Sequence, residues 1–492
     1  MQFLKHPISQ LFPIFLLIGL AFSCEDATSP REVDLAAEIE AIEKGLTPGL
    51  QVKGEPVDSF SIMDGLEKYG VPNVSVAVIE GGVVKWAKGY GIKHPDQPGE
   101  VDANTLFQAA SISKPVAAMG VLRLAQEGKV DIDENVNTYL TSWKLPENEF
   151  TSDQPVTLRH LMTHTAGTTV HGFPGYAKTD TFPSDIQVLN GEGNTDPIRV
   201  DTFPGVMNRY SGGGYTIVER VVEDVTGQSF AEYMQSTVLT PFGMKLSTYE
   251  QPLPADREGE IAVAIYGDGS VYEGEFHSYP EQAAAGLWTT PTDLAKFAVG
   301  VQQAYAGKGT EVLNQDFAKI MLTKNEHGHG HGPGIGEING DLTFMHGGKN
   351  EGYTCHLFAW TEKGQGMVVM SSADNARPLI QDIERAIASY YGWMFEKPTV
   401  VELVEIPEAD LPKFEGTFVF RPQDYQISIA VKDGKVTIID ENDGVEEYPL
   451  DPTGPMDFID LSDGARFSFE ADENGKVVAA IQDGRYRFDR VD

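Results

Sequence analysis

Apolar and polar positions along this chain fall into three kinds of pattern. Residues 74–79 and 83–88 are β-rich runs separated by Glu80-Gly81-Gly82, which predicts a hairpin. Val116, Met119, Leu122 and Leu124 then recur at helical spacing, with Gly128 as a stop. Residues 156–162 read as a second helix. Ile217, Val218, Val221, Val222 and Val225 mark a third, ending at Gly227. Thr290-Pro291-Thr292-Asp293 has the form of a helix start, a capping threonine followed by proline. Residues 353–360 and 367–371 predict another strand pair, and 378–391 a closing helix. Strands at both ends with helices between predict an α/β domain whose single sheet draws on both ends and packs against a helical subdomain. Between the second and third helices, residues 171–205 are rich in Gly, Pro, Asp and Thr without periodicity, the mark of a functional loop. From about residue 400 the pattern changes. Asp433-Gly434, Asp443-Gly444, Asp463-Gly464, Asn474-Gly475 and Asp483-Gly484 punctuate short β-branched and aromatic runs, which predicts a small antiparallel barrel or sandwich.

With 492 residues and 41% hydrophobic content the chain can bury a large core in more than one domain. Its start belongs to neither. Lys5 and His6 precede an apolar run over 11–22, too short to span a bilayer, that ends in Ala21-Phe22-Ser23-Cys24. Residues 1–23 read as a signal peptide. The ending resembles a bacterial lipobox, which would lipidate Cys24 and anchor the mature chain to a membrane; plain cleavage after Ser23 is the competing reading. A lipidated Cys24 would leave Cys355 no disulfide partner, since the chain has 2 cysteines. The formal charge of −36 argues against nucleic acid and against a polyanionic substrate drawn in over long range.

Candidate chemistry begins at Ser111-Ile112-Ser113-Lys114, which follows Thr105-Leu106-Phe107-Gln108-Ala109-Ala110. A hydroxyl and an amine one helical turn apart point the same way, at the positive end of a helix. Serine is a poor nucleophile until a base takes its proton, and a desolvated lysine is such a base. The bland alternative is a capping serine beside a solvated lysine. Tyr210, just before the turn Ser211-Gly212-Gly213-Gly214, offers a phenol for proton transfer. His346-Gly347-Gly348 precedes a strand, and its glycines would let a substrate lie along the strand edge while backbone N–H groups reach its carbonyl oxygen.

Together these motifs resemble those of the serine β-lactamase and penicillin-binding superfamily, in particular class C β-lactamases, D-alanyl-D-alanine carboxypeptidases and related esterases and D-aminopeptidases. Leu161-Met162-Thr163-His164-Thr165-Ala166-Gly167, Pro241-Phe242-Gly243-Met244 and Gly286-Leu287-Trp288-Thr289-Thr290 extend the likeness over 58–395. The resemblance implies acylation of Ser111, with Lys114 and Tyr210 as general base and acid in either assignment. It puts His346 where the family's third motif has lysine, and Ser111 and Lys349 N–H groups in the oxyanion hole. Gly347, Gly348, Ser211 and Gly212 would line the substrate site, and no metal or other cofactor is required. The expected organisation is a signal peptide (1–23), a tether (24–57), the hydrolase domain (58–395) and a β domain (400–492).

Two departures shift the expectation. Gly212 stands where the tyrosine motif usually has asparagine, and His346 offers less permanent positive charge to a carboxylate than lysine would. Both favour an esterase or peptidase over a dedicated β-lactamase, with Lys349 as a substitute cation. The function expected is an exported serine hydrolase of small esters, D-amino-acid peptides or β-lactams; the rival is a non-catalytic sensor or scaffold that traps cell-wall peptides. Other signals read as structural. His327-Gly328-His329-Gly330-His331-Gly332 suits a flexible surface loop better than a metal site. His164 reads as bonding an adjacent turn, Cys355 as buried and inert, and Ser211 equally as a turn residue. No G-x-S-x-G elbow, H-E-x-x-H or phosphate loop competes.

Overall fold

A computed structural model describes residues 34–440, 446–462 and 464–492. The signal-peptide reading and Cys24 lie outside these residues. The described residues fall into two units, 34–40 and Ala41 onward. The segment expected to be a tether carries a helix at Leu35–Glu43, and beyond it Leu46 is buried and exchanges backbone hydrogen bonds with Phe60, and Leu50–Val52 pairs in parallel with Thr399–Val401. Among the described residues no helix is long and apolar enough to cross a membrane.

The larger unit is built on a seven-stranded antiparallel sheet. Its strands are β1 (Asn73–Glu80), β2 (Val83–His94), β3 (Gln97–Glu100), β4 (Gly334–Ile338), β5 (Asp341–Asn350), β6 (Tyr353–Trp360) and β7 (Gln365–Ser371), in the order β3-β2-β1-β7-β6-β5-β4. The first three come from one end of the domain and the last four from the other, so closing the sheet brings distant sequence together. Gly81 and Gly82 both take positive φ, the conformation a two-residue hairpin turn demands.

Six helices matter for the site: α1 (Ser113–Gln126), α2 (Leu158–Met162), α3 (Gly212–Thr226), α4 (Gln282–Ala285), α5 (Pro291–Tyr305) and α6 (Arg377–Tyr391). α5 packs on β1, β2 and β7, while α6 packs on β6 and β7. Thr290 caps α5 through the Asp293 N–H with Pro291 in the first turn, as its sequence predicts. Helix α1 differs from expectation. Instead of one apolar face it is buried on nearly every side from Ser113 to Leu122, and Gly120 makes room for Met234 and the Tyr233 ring. Such a central helix gives its first turn a fixed position.

The tail forms a closed eight-stranded barrel: β8 (Gly416–Phe420), β9 (Tyr425–Lys432), β10 (Lys435–Asp440), β11 (Glu446–Pro452), β12 (Asp457–Asp460), β13 (Arg466–Ala471), β14 (Val477–Gln482) and β15 (Tyr486–Arg490). Closure pairs β8 with β15 and leaves no free edge. Phe414, from the turn that enters the barrel, joins Phe418, Phe458 and Phe469 in its core.

One contact fixes the sheet against the Ser111 turn. A methyl at Gly348 in β5 would stand 2.3 Å from the Ala109 carbonyl oxygen and 2.3 Å from Cys355 Sγ. Gly348→Ala should therefore cost about 1–3 kcal/mol by overpacking. Thermal unfolding checks this, and an unchanged Tm would show that β5 and the turn are not in contact.

Candidate active site

Ser111 does not open the helix, as expected, but sits in a short 3₁₀ turn, Ala110–Ile112, ahead of it. Ala110 is buried with φ +50, a left-handed backbone that costs a non-glycine residue of order 1–3 kcal/mol and persists only where neighbours impose it. The neighbours are identifiable. Ala109 N–H donates to the Leu287 carbonyl at 2.8 Å, Cys355 Sγ donates to the Ala109 carbonyl at 3.1 Å, and Leu287 N–H donates to Ser113 Oγ at 3.0 Å. Burial pushes the Cys355 thiol up, so it stays protonated and acts as a donor. Tyr249 donates from its hydroxyl to the Ser113 carbonyl at 2.7 Å.

Lys114 lies in the first turn of α1 with 2% of its surface exposed. Its Nζ donates to Ser111 Oγ at 3.1 Å and to the Ala284 carbonyl of α4 at 2.7 Å. It also stands 4.9 Å from the Tyr210 ring centroid and 5.8 Å from that of Tyr215. The alcohol, amine and phenol named from sequence thus converge, although Ser111 and Tyr210 belong to separate segments. The Tyr210 hydroxyl oxygen is buried and has no hydrogen-bond partner among the described residues.

His346 completes the fourth side, its ring centroid 6.2 Å from that of Tyr210. Its triplet lies within β5, where the sequence placed it just before a strand. Because β4 pairs only as far as Met345, residues 346–350 have no strand partner on the side away from β6. The Asn350 amide ties the far end of this edge to Gln108 Oε1 at 2.7 Å and to the Ala285 carbonyl at 3.2 Å. His346 Nδ1 sits 2.6 Å from the Gly347 carbonyl, which can only accept, so the ring proton is on Nδ1 and Nε2 keeps a lone pair. Burial first, and the Lys114 charge second, push its pKa down to about 3. The ring is therefore neutral at physiological pH and gives no fixed positive charge.

Other expected residues take different places. Lys349 is half exposed, and its ammonium pairs with the Asp374 carboxylate and donates to the Asp374 carbonyl at 3.3 Å. Ser211 caps α3: its Oγ accepts from Gly214 N–H at 3.0 Å and donates toward the Thr169 and Val170 carbonyls. As a candidate substrate contact it is thus committed to the turn. A side chain at Gly212 would meet the Phe173 ring at 2.8 Å and the His171 carbonyl oxygen at 3.2 Å, so an asparagine in that place would require the Phe173 ring to move. The His-Gly run is also more than a flexible surface loop. His331 is buried, bonded to Arg159 and the Ile320 carbonyl, and Gly332 (φ +110) abuts Pro115 of α1. Among the described residues no three His, Cys, Asp or Glu side chains are placed to hold a metal.

Sequence reasoning missed the acids behind α4. Glu219 Oε2 accepts from Ala283 N–H at 2.9 Å and so seats the helix that holds Lys114. Glu281 is fully buried with both oxygens unpartnered among the described residues, and burial raises it to about 8. Neither sits in a recognisable motif, and the Ala283 partner of Glu219 is far away in sequence.

Such a sheet, a buried serine–lysine pair at the foot of its central helix and an open strand edge define the serine β-lactamase and penicillin-binding class of proteins. The Beta-lactamase family model matches residues 61–391, and the chain belongs to that family. It is 22% identical to Protein flp of Staphylococcus aureus (strain MW2) over 322 residues, 63% of this chain and 61% of that protein. Over 273 residues it is 25% identical to a teichoic acid D-alanine hydrolase of Staphylococcus aureus, covering 54% of this chain and 64% of the relative. The chain thus spans less than two thirds of the length of either. Among solved structures, the octameric penicillin-binding protein homologue from Pyrococcus abyssi aligns with a TM-score of 0.61 and 22% identity over 87% of this chain and 98% of that one. D-amino acid amidase from Ochrobactrum anthropi SV3 aligns with a TM-score of 0.56 and 19% identity over 72% and 98%. These two likenesses are of fold.

The state of His346 has a measurable consequence. The unfolded chain takes up a proton on this ring below about pH 6.5 and the folded chain does not, so stability falls as pH drops from there toward the folded value. His346→Asn should remove about 1.4 kcal/mol per pH unit from the acid slope between roughly pH 6 and 4. Urea unfolding at several pH values tests this. Parallel curves for the two proteins would mean that the ring is charged in the fold.

Proposed function

We propose that the chain is an exported serine hydrolase that cleaves an ester or amide through an acyl-enzyme on Ser111. The observation that carries this reading is the 3.1 Å hydrogen bond from Lys114 Nζ to Ser111 Oγ in a buried site that also holds the Tyr210 phenol. Lys114 or Tyr210 takes the serine proton as Oγ attacks the carbonyl carbon, and the same pair returns it to the departing alkoxide or amine. Water then attacks the acyl-serine by the reverse proton route and releases the acid. The N–H groups of Ser111 and Lys349 stabilise the oxyanion while the substrate lies along residues 346–350.

The charges favour one substrate class. His346 is neutral, and Lys114 Nζ and the Lys349 ammonium already have partners, so the site is poorly equipped to hold a free carboxylate. An acyl donor that is neutral or carries an ammonium group fits better, and a formal charge of −36 favours its approach. One relative is a hydrolase of teichoic acid D-alanine and one structural neighbour an amidase of D-amino acids, which supports a D-aminoacyl ester or amide as the donor. Work at the cell envelope, with Cys24 lipidated as the anchor, agrees with this substrate.

Wild type and Ser111→Ala should be incubated with a D-alanyl ester, a D-Ala-D-Ala peptide and a chromogenic cephalosporin, with product release and protein mass followed. Turnover of the ester, abolished in the variant, is expected. A stable adduct without turnover would favour the sensor reading, and neither adduct nor turnover would remove both. In a companion variant, His346→Lys, a cation is restored to the β5 edge. It should raise kcat/KM for the cephalosporin by about tenfold, and no rise would show that carboxylate recognition is limited elsewhere.

A further inference from the structure

The surroundings of Tyr210 are over-determined. The Arg209 N–H donates to the His164 carbonyl at 2.8 Å, and the Ser211 N–H donates to His164 Nδ1 at 3.2 Å. The residues on both sides of Tyr210 are thus tied to one histidine. The Tyr210 ring itself lies against the same imidazole, centroids 4.3 Å apart. From the other side, His171 Nδ1 meets the Tyr210 carbonyl at 2.6 Å. His164 is buried and takes φ +58, so its ring reaches this position from a backbone that few side chains adopt.

The hydrogen bonds also fix the ring's protonation. Nδ1 accepts from Ser211, so the proton rests on Nε2, which has no partner among the described residues. Burial, with Lys114, His329 and His346 all nearby, holds the imidazole well below its usual pKa and therefore neutral. It adds no charge beside the lysine.

We propose that His164 is the positioning residue for Tyr210, holding its ring beside Lys114 by accepting, through Nδ1 and its carbonyl, from the backbone N–H groups on either side of the tyrosine. The role rests on Ser111 being the acylated nucleophile. It goes beyond a turn contact, because it predicts a defect in the proton-transfer step with binding intact.

The test compares His164→Asn with His164→Gly, two residues that both accept a left-handed backbone. Asparagine can keep an acceptor near the place of Nδ1; glycine cannot. The readout is phosphonylation of Ser111 by a fluorophosphonate, which needs no knowledge of the natural substrate, with folding checked by circular dichroism. His164→Gly should lower the maximal labelling rate about 10- to 100-fold with half-saturation within about threefold of wild type, while His164→Asn keeps most of the rate. Equal losses in both variants, or no loss in either, would overturn the proposal. Should His164→Gly not fold, His164→Asn decides alone: retained labelling beside an impaired Tyr210→Phe supports the role, and a loss beyond about tenfold refutes it. A wild type unlabelled at Ser111 would overturn the nucleophile assignment and this role together, whereas a labelled wild type with an unaffected glycine variant overturns this role alone.

Discussion

An amine enclosed by protein is the constraint around which this fold is arranged. Lys114 is almost wholly removed from solvent, and a buried amine without acceptors would be costly. Two acceptors are supplied, one on the turn that carries Ser111 and one on α4, and each has its own support. Glu219 seats α4, while Ala109 and Ser113 are pinned by Leu287, Cys355 and Tyr249. The strain at Ala110 is held by the same contacts. Around the amine, His164 and His346 remain neutral, which avoids crowding several positive charges into one low-dielectric space.

Much of the architecture was legible because its signals are local. The Gly81-Gly82 turn, the Thr290-Pro291 helix start and the Asp433-Gly434 and Asp483-Gly484 turns of the tail each report their own backbone, while Asp443-Gly444 and Asp463 lie outside the described residues. Ser111, Lys114 and Tyr210 were legible as motifs, and their convergence is visible only in the fold. What stayed hidden depends on packing between distant segments. The full burial of α1 cannot be read from four apolar positions, since its remaining faces are small residues covered by other elements. Lys349 reads as a free cation until Asp374 is brought beside it, and Gly212 reads as a lost amide until Phe173 is seen behind it. The His-Gly run misled for the same reason: glycines that suggest mobility are there to let the loop approach α1 and β4 closely.

The barrel and the α/β domain illustrate two ways of handling strand edges. Residues 416–490 close on themselves, so their hydrogen-bonding capacity is used within the barrel. The sheet instead leaves part of β5 open, and that opening lies where Gly348 touches the Ser111 turn. An unpaired edge is ordinarily a liability, and a short one is a place where an extended segment can add its own backbone.

The early end of β4 also acts as a ruler. Among the described residues, 346–350 of β5 are left without a strand partner on that side, a span of about 17 Å at the rise of a β-strand. At its far end the edge is held in place, where Asn350 is fastened to Gln108 and Ala285.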